Sequence, residues 1–230
     1  MTDKKVWFIT GAGRGMGVDI AGAALAAGNA VVATGRNPEA VAKAVGEADD
    51  LLVVALDITK PEQAEAAVRT AVDRFGSIDV LVNSAGVGVG GNVEQLTTKK
   101  WDLQFAVNLR GAFVVTRESI PKLKESRGLV VNLASIAGTV PVPGLAGYAA
   151  SKAALISLTK SMNRELEDDG VRLCALCPGF VDTPMASWTG MSAQEMIHPD
   201  DCAEVVRMLL KLSPAARIPQ VVIERMGETP

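Results

Sequence analysis

The chain has 230 residues, of which 48% are hydrophobic and 21% are charged, which excludes a disordered protein and allows a sizeable buried core. Its formal net charge of −3 provides no general attraction to nucleic acid or to anionic membranes. No apolar run approaches the roughly 18 residues of a membrane-spanning helix, and the N-terminal M-T-D-K-K lacks a signal-peptide pattern. We therefore expect a cytoplasmic protein with neither nucleic-acid nor membrane partners.

Short β-branched runs alternate along the chain with alanine-rich segments of helical period. The predicted strands are Val6–Thr10, Ala30–Thr34, Leu51–Leu56, Val80–Asn83, Leu129–Leu133, Val171–Cys177 and Val221–Glu224. Apolar residues in 61–75 recur at helical spacing, and Thr59 with Glu62 predicts a capping box at the start of that helix. Near-continuous apolar strands separated by helices indicate a parallel sheet. We expect one doubly wound, Rossmann-like α/β domain over 1–230, with about seven strands and helices on both faces.

Two glycine-rich loops follow predicted strands. The first, T-G-A-G-R-G-M-G at 10–17, lies between a strand and a helix, where backbone N–H groups and the helix dipole favour an anion. Its glycines let the backbone approach a pyrophosphate closely. The literal dinucleotide pattern G-x-G-x-x-G occurs instead at 86–91, but no strand with an acidic end follows at the required distance. The first loop is the predicted phosphate loop, and the second is predicted to connect elements beside the ligand.

The cysteines form no clear reactive site. Cys174 and Cys177 make a C-x-x-C sequence, which can be a redox pair or half of a metal site. A zinc site would need a second ligand pair, and the one histidine is His198. The two thiols point to opposite faces of a predicted strand. Buried structural cysteines and no metal site are therefore predicted, with His198 as a loop residue.

Motifs distributed in order along nearly the whole chain resemble those of the short-chain dehydrogenase/reductase family. Residues 10–17 match its T-G-x-x-x-G-x-G loop, with Met16 where isoleucine is usual. N-S-A-G at 83–86 is similar to its N-N-A-G signature, with Ser84 replacing the second asparagine. C-P-G-F-V-D-T at 177–183 resembles the P-G-x-x-x-T segment that closes over the nicotinamide.

The residues that resemble the family's catalytic set are Asn108, Ser135, Tyr148 and Lys152. Asn108 lies in F-A-V-N-L-R-G-A-F, and Ser135 ends V-V-N-L-A-S, where Ala134 replaces the first of two usual serines. Tyr148 and Lys152 form Y-x-x-x-K, so they share a helix face. An ammonium and an oxidised nicotinamide would lower the tyrosine pKa toward that of a general acid/base.

The resemblance assigns roles to these four side chains. Tyr148 would exchange a proton with the substrate oxygen, and Ser135 would hydrogen-bond the same oxygen. Lys152 would also bind the nicotinamide ribose, and Asn108 would hold a water of the proton relay. Asp57 would contact the adenine ring. The full set of predicted cofactor contacts is Gly11, Arg14, Gly15, Met16, Gly17, Arg36, Asp57, Ile58, Asn83, Ala85, Gly86, Tyr148, Lys152, Pro178, Gly179, Val181 and Thr183.

Two arginines favour NADP(H) as the cofactor. NAD-preferring enzymes generally place an acidic residue at the end of the second strand, where this chain has Gly35 followed by Arg36. Arg14 occupies the family's other recurrent basic position. The hypothesis is a two-sided clamp on the 2′-phosphate, in which each arginine contributes about 1.5–3 kcal/mol. The alternative is that both are solvated surface arginines.

The expected reaction is the NADP(H)-dependent interconversion of a ketone or aldehyde and its alcohol. Residues 184–199 form the predicted substrate lid, in which Met185, Trp188, Met191 and Met196 either line the pocket or pack on one another. Lining by such residues would suit a modest, fairly apolar carbonyl or alcohol substrate. A non-catalytic dinucleotide-binding sensor or scaffold is the alternative function.

Two features concern assembly and subfamily. The resemblance implies a homodimer or homotetramer, formed through helices near 101–120 and 149–167. The C-terminal V-V-I-E-R-M-G-E-T-P departs from the family's frequent V-D-G-G ending, so no subfamily's substrate is transferred to this chain.

Overall fold

A computed structural model describes residues 4–227. The strands are β1 (Val6–Thr10), β2 (Ala30–Gly35), β3 (Leu51–Ala55), β4 (Val80–Asn83), β5 (Leu129–Leu133), β6 (Arg172–Pro178) and β7 (Gln220–Ile223). The α-helices are α1 (Met16–Ala26), α2 (Pro38–Val45), α3 (Pro61–Phe75), α4 (Thr98–Phe105), α5 (Ala112–Ser126), α6 (Ala146–Glu165) and α7 (Pro199–Lys211). Short helical turns occupy Val93–Gln95, Ala106–Gly111, Ile136–Gly138, Pro184–Thr189 and Ala193–Glu195.

The seven strands form one parallel sheet in the order β3-β2-β1-β4-β5-β6-β7. The predicted fold class is confirmed, and every predicted strand is present with each end within one residue of its predicted position. The direction of winding reverses between β1 and β4. Loops leaving the carboxyl ends of these two neighbouring strands diverge, which opens a crevice at that edge of the sheet.

Alternate residues of the central strands pack on opposite faces of the sheet. On one face, Ile9 and Val31 contact buried residues of α1, α2 and α7. On the other, Phe8 and Val32 contact buried residues of α3, α5 and α6. The near-continuous apolar strand sequences follow from this double coverage, since both faces exclude water.

The cysteines are buried in the same two layers. Cys174 belongs to the α1/α7 face, whereas Cys177 packs with Ala112 and Leu155 on the other face. Both are free thiols, and burial raises the pKa of Cys174 to about 12 and that of Cys177 to about 11. The prediction of buried strand cysteines that point to opposite faces is confirmed.

The start of α3 differs from its prediction. The N-cap residue is Lys60, without a side-chain cap, and Pro61 is the first helical residue. The Thr59 hydroxyl instead donates to Asp57 Oδ1 at 2.7 Å. The capping box of Thr59 and Glu62 is therefore wrong. Pro61 has the φ angle that the first helical position needs, so the helix begins there, and Thr59 and Glu62 are each one position away from the places that a capping box requires.

Among residues 4–227, no helix combines the length and the apolarity that crossing a bilayer requires.

A buried chain of polar side chains joins the carboxyl half of the sheet to the helices that cover it. Asn83 Nδ2 donates to Thr116 Oγ1 on α5 at 3.0 Å and to Asn132 Oδ1 at 2.8 Å. Asn132 Nδ2 donates in turn to Thr159 Oγ1 on α6 at 2.8 Å. All four side chains are at most 3% exposed. Hydrogen bonds in such surroundings hold the helices at a defined position, because breaking one leaves a buried polar group without its partner.

Replacing Asn132 by alanine leaves Asn83 and Thr159 each with one buried hydrogen bond fewer. We expect the free energy of unfolding to fall by about 2–4 kcal/mol, measured by urea denaturation. Asn37→Ala is the matched control, since Asn37 is an exposed N-cap that accepts from the Ala40 N–H and its loss should cost about 1 kcal/mol. Equal losses in the two variants would contradict the proposed importance of the buried chain.

Candidate active site

The phosphate loop has the backbone that its glycines predict. Gly11 and Gly15 have φ angles of 70° and 60°, which other residues adopt only with strain. A Cβ on Gly11 would lie 2.7 Å from Ala85 Cα, and one on Gly17 would lie 2.6 Å from Gly11 O. The loop is thus pressed against the segment that leaves β4. Gly15 caps α1 without a side-chain hydrogen bond, which leaves the first helical N–H groups available to an anionic ligand.

The second glycine loop lies beside the candidate catalytic residues. The Val87 N–H donates to Asn108 Oδ1 at 2.8 Å, and Asn108 Nδ2 donates back to the Val87 carbonyl at 2.8 Å. A Cβ on Gly86 would lie 3.6 Å from Lys152 Nζ, and one on Gly88 would lie 3.7 Å from the Tyr148 ring. The loop connects β4 to the following helices, as the sequence predicts, and small residues let it approach the ring.

Asn108 occupies a turn of π-helix, Ala106–Gly111, an irregularity that is frequent at functional sites. It is 1% exposed, and its Nδ2 also donates to Ser151 Oγ at 3.0 Å. Ser151 Oγ donates to the Tyr148 carbonyl at 2.7 Å. The side chain of Asn108 therefore ties the second glycine loop to the first turn of α6, while the predicted water-holding role stays a prediction.

Ser135, Tyr148 and Lys152 converge where β5 ends and α6 begins. Lys152 is 5% exposed, its Nζ donates to the Leu133 carbonyl at 2.6 Å, and it lies 5.7 Å from the centre of the Tyr148 ring. Ser135 Oγ accepts from the Ala137 N–H at 3.2 Å and also interacts with the Tyr148 hydroxyl. The structure thus brings Ser135 together with Tyr148, which lies 13 positions further along the chain, and with Lys152, which lies four positions beyond Tyr148.

Burial controls the protonation of this cluster. It raises the pKa of Tyr148 above 10.0, although the hydrogen bond with Ser135 acts in the opposite direction. Burial also lowers the pKa of Lys152 to about 8, opposed by the neighbouring Cys177. The lowered tyrosine pKa that the sequence predicts depends on the positive charge of an oxidised nicotinamide beside the ring, and it stays a prediction. Without that charge, desolvation disfavours the charged forms of both Tyr148 and Lys152.

A cavity of about 850 Å³ opens onto Ser135 and Tyr148. The predicted closing segment reaches it through Pro178, Gly179, Val181 and Thr183, and Met16 of the phosphate loop also lines the wall. From the lid, Met185 and Trp188 line the cavity and are 45% and 65% exposed, whereas Met191 and Met196 are not among the lining residues. For Met185 and Trp188, the structure therefore favours lining of the pocket over packing of the lid residues on one another.

Sequence reasoning missed part of this wall. The loop 140–145 contributes Val140, Pro141, Val142 and Leu145, and Arg225 comes from beyond β7. The proline- and valine-rich sequence shortly before Tyr148 could have indicated that the loop 140–145 lines the cavity. The departure of the C-terminal sequence from the V-D-G-G ending could have drawn attention to Arg225.

The two arginines of the predicted phosphate clamp face different segments. Arg36, exposed after Gly35 at the end of β2, lies close enough to Asp57 to help lower the pKa of that carboxyl, behind the larger effect of the Thr59 hydrogen bond. Arg14 is exposed and lines a smaller cleft of about 250 Å³ together with Pro184 and Met185. Arg36 is thus on the β2–β3 side of the crevice and Arg14 on the lid side.

Within residues 4–227 no group of three or more histidine, cysteine or acidic side chains is arranged to hold a metal ion. His198 is exposed at the N-cap of α7, where its backbone N–H donates to Asp201 Oδ2 at 3.0 Å.

This doubly wound sheet, with its phosphate loop after β1 and its serine, tyrosine and lysine beyond β5, is the architecture of a Rossmann-type oxidoreductase. A family model described as short chain dehydrogenase matches residues 5–192. The chain belongs to the short-chain dehydrogenase family and is an oxidoreductase.

Relatives and solved structures agree with this assignment. An uncharacterized oxidoreductase of Staphylococcus epidermidis is 32% identical over 96% of both chains. An alcohol dehydrogenase from the archaeon Thermococcus sibiricus, solved with 5-hydroxy-NADP, is 30% identical, with a TM-score of 0.92 over 99% of both chains. A 3-ketoacyl-(acyl-carrier-protein) reductase from Brucella melitensis, solved with NADH, is 33% identical, with a TM-score of 0.86 over 96% of both chains.

The pKa of Lys152 makes stability depend on pH. Between about pH 8 and its ordinary pKa of 10.5, the unfolded chain binds more protons at this lysine than the folded chain, so stability rises with pH. Relative to Lys152→Met, the wild-type free energy of unfolding should gain about 3 kcal/mol between about pH 7 and about pH 10.5. Above the ordinary tyrosine pKa of 10.0, the raised pKa of Tyr148 makes stability fall with pH. This effect is present in both the wild type and Lys152→Met.

The measurement is urea denaturation across this pH range. Lys160→Met is the matched control, because Lys160 is an exposed lysine on the same helix. A pH-dependent gain of similar size relative to Lys160→Met would contradict the assignment to buried Lys152.

Proposed function

We propose that this oxidoreductase interconverts a ketone or aldehyde and the corresponding alcohol with NADP(H), and that Tyr148 is the general acid/base. The observation that carries the proposal is that Ser135 and Tyr148 line an apolar cavity next to the phosphate loop, with Lys152 buried beside the Tyr148 ring. Oxidoreductases of similar fold from Thermococcus sibiricus and Brucella melitensis bind an NADP derivative and NADH.

The residues present fit a nicotinamide dinucleotide. A side chain at Gly11 or Gly17 would clash with neighbouring protein atoms, so the loop backbone can take this close path only with glycine. The start of α1 offers N–H groups to a pyrophosphate. In this proposal Lys152 binds the ribose, and the Pro178–Thr183 segment covers the nicotinamide. A bound nicotinamide supplies or accepts the hydride at the substrate carbon.

The protein's own residues supply the proton. In the reducing direction, the substrate oxygen gains negative charge as its carbon accepts hydride, and the Tyr148 hydroxyl donates its proton to that oxygen. Ser135 donates a hydrogen bond to the same oxygen and orients it. The phenolate that results is stabilised by the Ser135 hydroxyl and the Lys152 ammonium. Burial raises the pKa of the Tyr148 hydroxyl, so before cofactor binds this side chain carries the proton that reduction requires.

Tyr148→Phe removes the transferable proton and keeps the ring. We expect kcat on a panel of ketones and aldehydes to fall by about 10²–10⁴-fold, while NADPH binding, followed by its fluorescence, stays near the wild-type value. NADPH consumption by wild type and variant measures the first effect. Wild-type protein that binds NADPH but consumes none with the whole panel would favour the sensor or scaffold function instead.

The choice of NADP(H) is supported by Arg36. An acidic residue at that position would repel the 2′-phosphate, whereas a guanidinium binds it through charge-assisted hydrogen bonds. Arg14 completes the proposed clamp, although its place on the lid side also suits a contact with the pyrophosphate. These two roles differ in their consequences, because only the 2′-phosphate distinguishes NADPH from NADH.

Arg36→Asp should lower the ratio of kcat/KM for NADPH over NADH by at least about tenfold, since the charge facing the phosphate is reversed. Arg14→Gln should lower the same ratio if Arg14 contacts the 2′-phosphate, and should weaken both cofactors equally if it contacts the pyrophosphate. Arg69→Asp, an exposed change on α3 with the same charge difference, is the control. An unchanged ratio in Arg36→Asp would end the proposal of NADP(H) selection by this residue.

Self-association is a further part of the proposal. Three large apolar side chains, Trp101, Leu103 and Phe113, are 39–46% exposed along α4 and α5. Exposed large apolar side chains are frequent at contacts between subunits. They support a homodimer or homotetramer formed through this segment and α6.

A further inference from the structure

The part of the cavity wall near Tyr148 is built from an apolar loop and from the lid. The loop 140–145 contributes only apolar residues to it. From the lid come Met185 and Trp188, both large apolar side chains that are exposed. Side chains of this kind contact the part of a ligand that does not react, so their chemistry indicates what that part of the substrate is.

Met185 and Trp188 form one continuous surface beside Tyr148. They are three residues apart on the short 3₁₀-helical turn Pro184–Thr189, and side chains at that spacing eclipse one another. A Cβ on Gly88 would lie 3.7 Å from the Tyr148 ring and 3.9 Å from Met185 Sδ. Because the space over Gly88 is bounded by both groups, the thioether lies at the reacting end of the cavity, with the indole of Trp188 next to it.

The indole of Trp188 is held in place by Phe180, which also lines the cavity. The two rings pack edge to face, with 6.0 Å between their centres and an angle of 74° between their planes. The Phe180 carbonyl accepts from the Ile197 N–H at 2.9 Å, and the Asp182 N–H donates to the Ile197 carbonyl at 3.0 Å. The base of the lid is thereby tied to the segment that follows β6. Trp188 nevertheless stays 65% exposed, so most of its surface is left for a ligand.

We propose that the substrate is a ketone or aldehyde with an aromatic ring close to the carbonyl carbon, and that Trp188 selects it. The ring packs against the indole and the Met185 thioether while the carbonyl oxygen reaches Ser135 and Tyr148. An aromatic ring gains more from such neighbours than a saturated ring does, since its electron distribution adds to the burial of apolar area. The ring is also rigid, so little conformational freedom is lost on binding.

This inference rests on the proposed function and narrows its substrate class from apolar to aromatic carbonyl compounds. Arg225 also lines the cavity, but it has partners of its own, among them the Met226 carbonyl, which accepts from its Nη1 at 3.3 Å. The guanidinium therefore does not require an anionic group on the substrate, and a neutral aromatic compound is compatible with this wall.

The test compares the reduction of phenylacetone and cyclohexylacetone with NADPH or NADH. These ketones share a carbon skeleton and differ in the aromaticity of the ring, and the methylene group next to the carbonyl keeps their intrinsic reactivity similar. We expect wild-type kcat/KM to favour phenylacetone by about 3–10-fold, the size of one aromatic contact, and Trp188→Leu to bring the ratio close to one. Trp188→Phe should keep part of the preference, since it retains an aromatic ring. Phe113→Leu, which removes an exposed aromatic side chain that is not among the lining residues, should keep the wild-type ratio.

The outcomes separate this inference from the proposed function. If ketones are reduced but wild type does not prefer phenylacetone, or Trp188→Leu keeps that preference, the selection by Trp188 is wrong and the enzyme assignment stands. If wild type reduces no ketone or aldehyde, the proposed function fails, and binding of two amides that do not accept hydride, phenylacetamide and cyclohexylacetamide, decides about Trp188. Calorimetric binding with NADPH present that favours phenylacetamide in wild type, and loses this preference in Trp188→Leu, supports the site. Equal binding of the two amides, or a preference that survives Trp188→Leu, overturns it.

Discussion

The close approach of the loops that leave β1 and β4 is the constraint on which the rest of the site depends. Any side chain at Gly11 would meet the backbone of Ala85, and the Ala85 N–H donates to Thr10 Oγ1 at 3.1 Å. With these loops in contact, the start of α1 faces the crevice at the reversal of the sheet. The phosphate loop and the second glycine loop are thereby fixed relative to each other before any ligand binds.

A continuous set of polar contacts extends this constraint to the candidate catalytic residues. Asn108 holds the second glycine loop through both its amide atoms, and through Ser151 it reaches the backbone of Tyr148. Lys152 is anchored to the carbonyl of Leu133 at the end of β5. The same close packing that positions these groups also removes water from them. Exact positioning and shifted pKa values therefore have one physical cause, which is burial.

Much of this architecture could be predicted from local sequence. Apolar runs located all seven strands to within one residue, because strands covered on both faces are mainly apolar and contain buried polar residues only where these have hydrogen-bond partners. The glycine loop and the tyrosine–lysine pair were predictable because backbone geometry and helical spacing are local. The capping box failed for a local reason as well, since Pro61 sets the start of α3. The raised pKa of Tyr148 without cofactor could not be predicted in this way, because desolvation depends on which distant segments cover a residue.

By itself, the sequence determined the order of the elements, the phosphate loop, the resemblance to the short-chain dehydrogenase family and the identity of the candidate catalytic residues. These depend on periodicity, on glycine conformation and on short spacings along one chain. Only the tertiary structure decided that Arg14 and Arg36 face different segments, that desolvation shifts the pKa values of Tyr148 and Lys152, and that the loop 140–145 and Arg225 line the cavity. Those properties arise from contacts between residues far apart in the sequence, where neither spacing nor composition carries information.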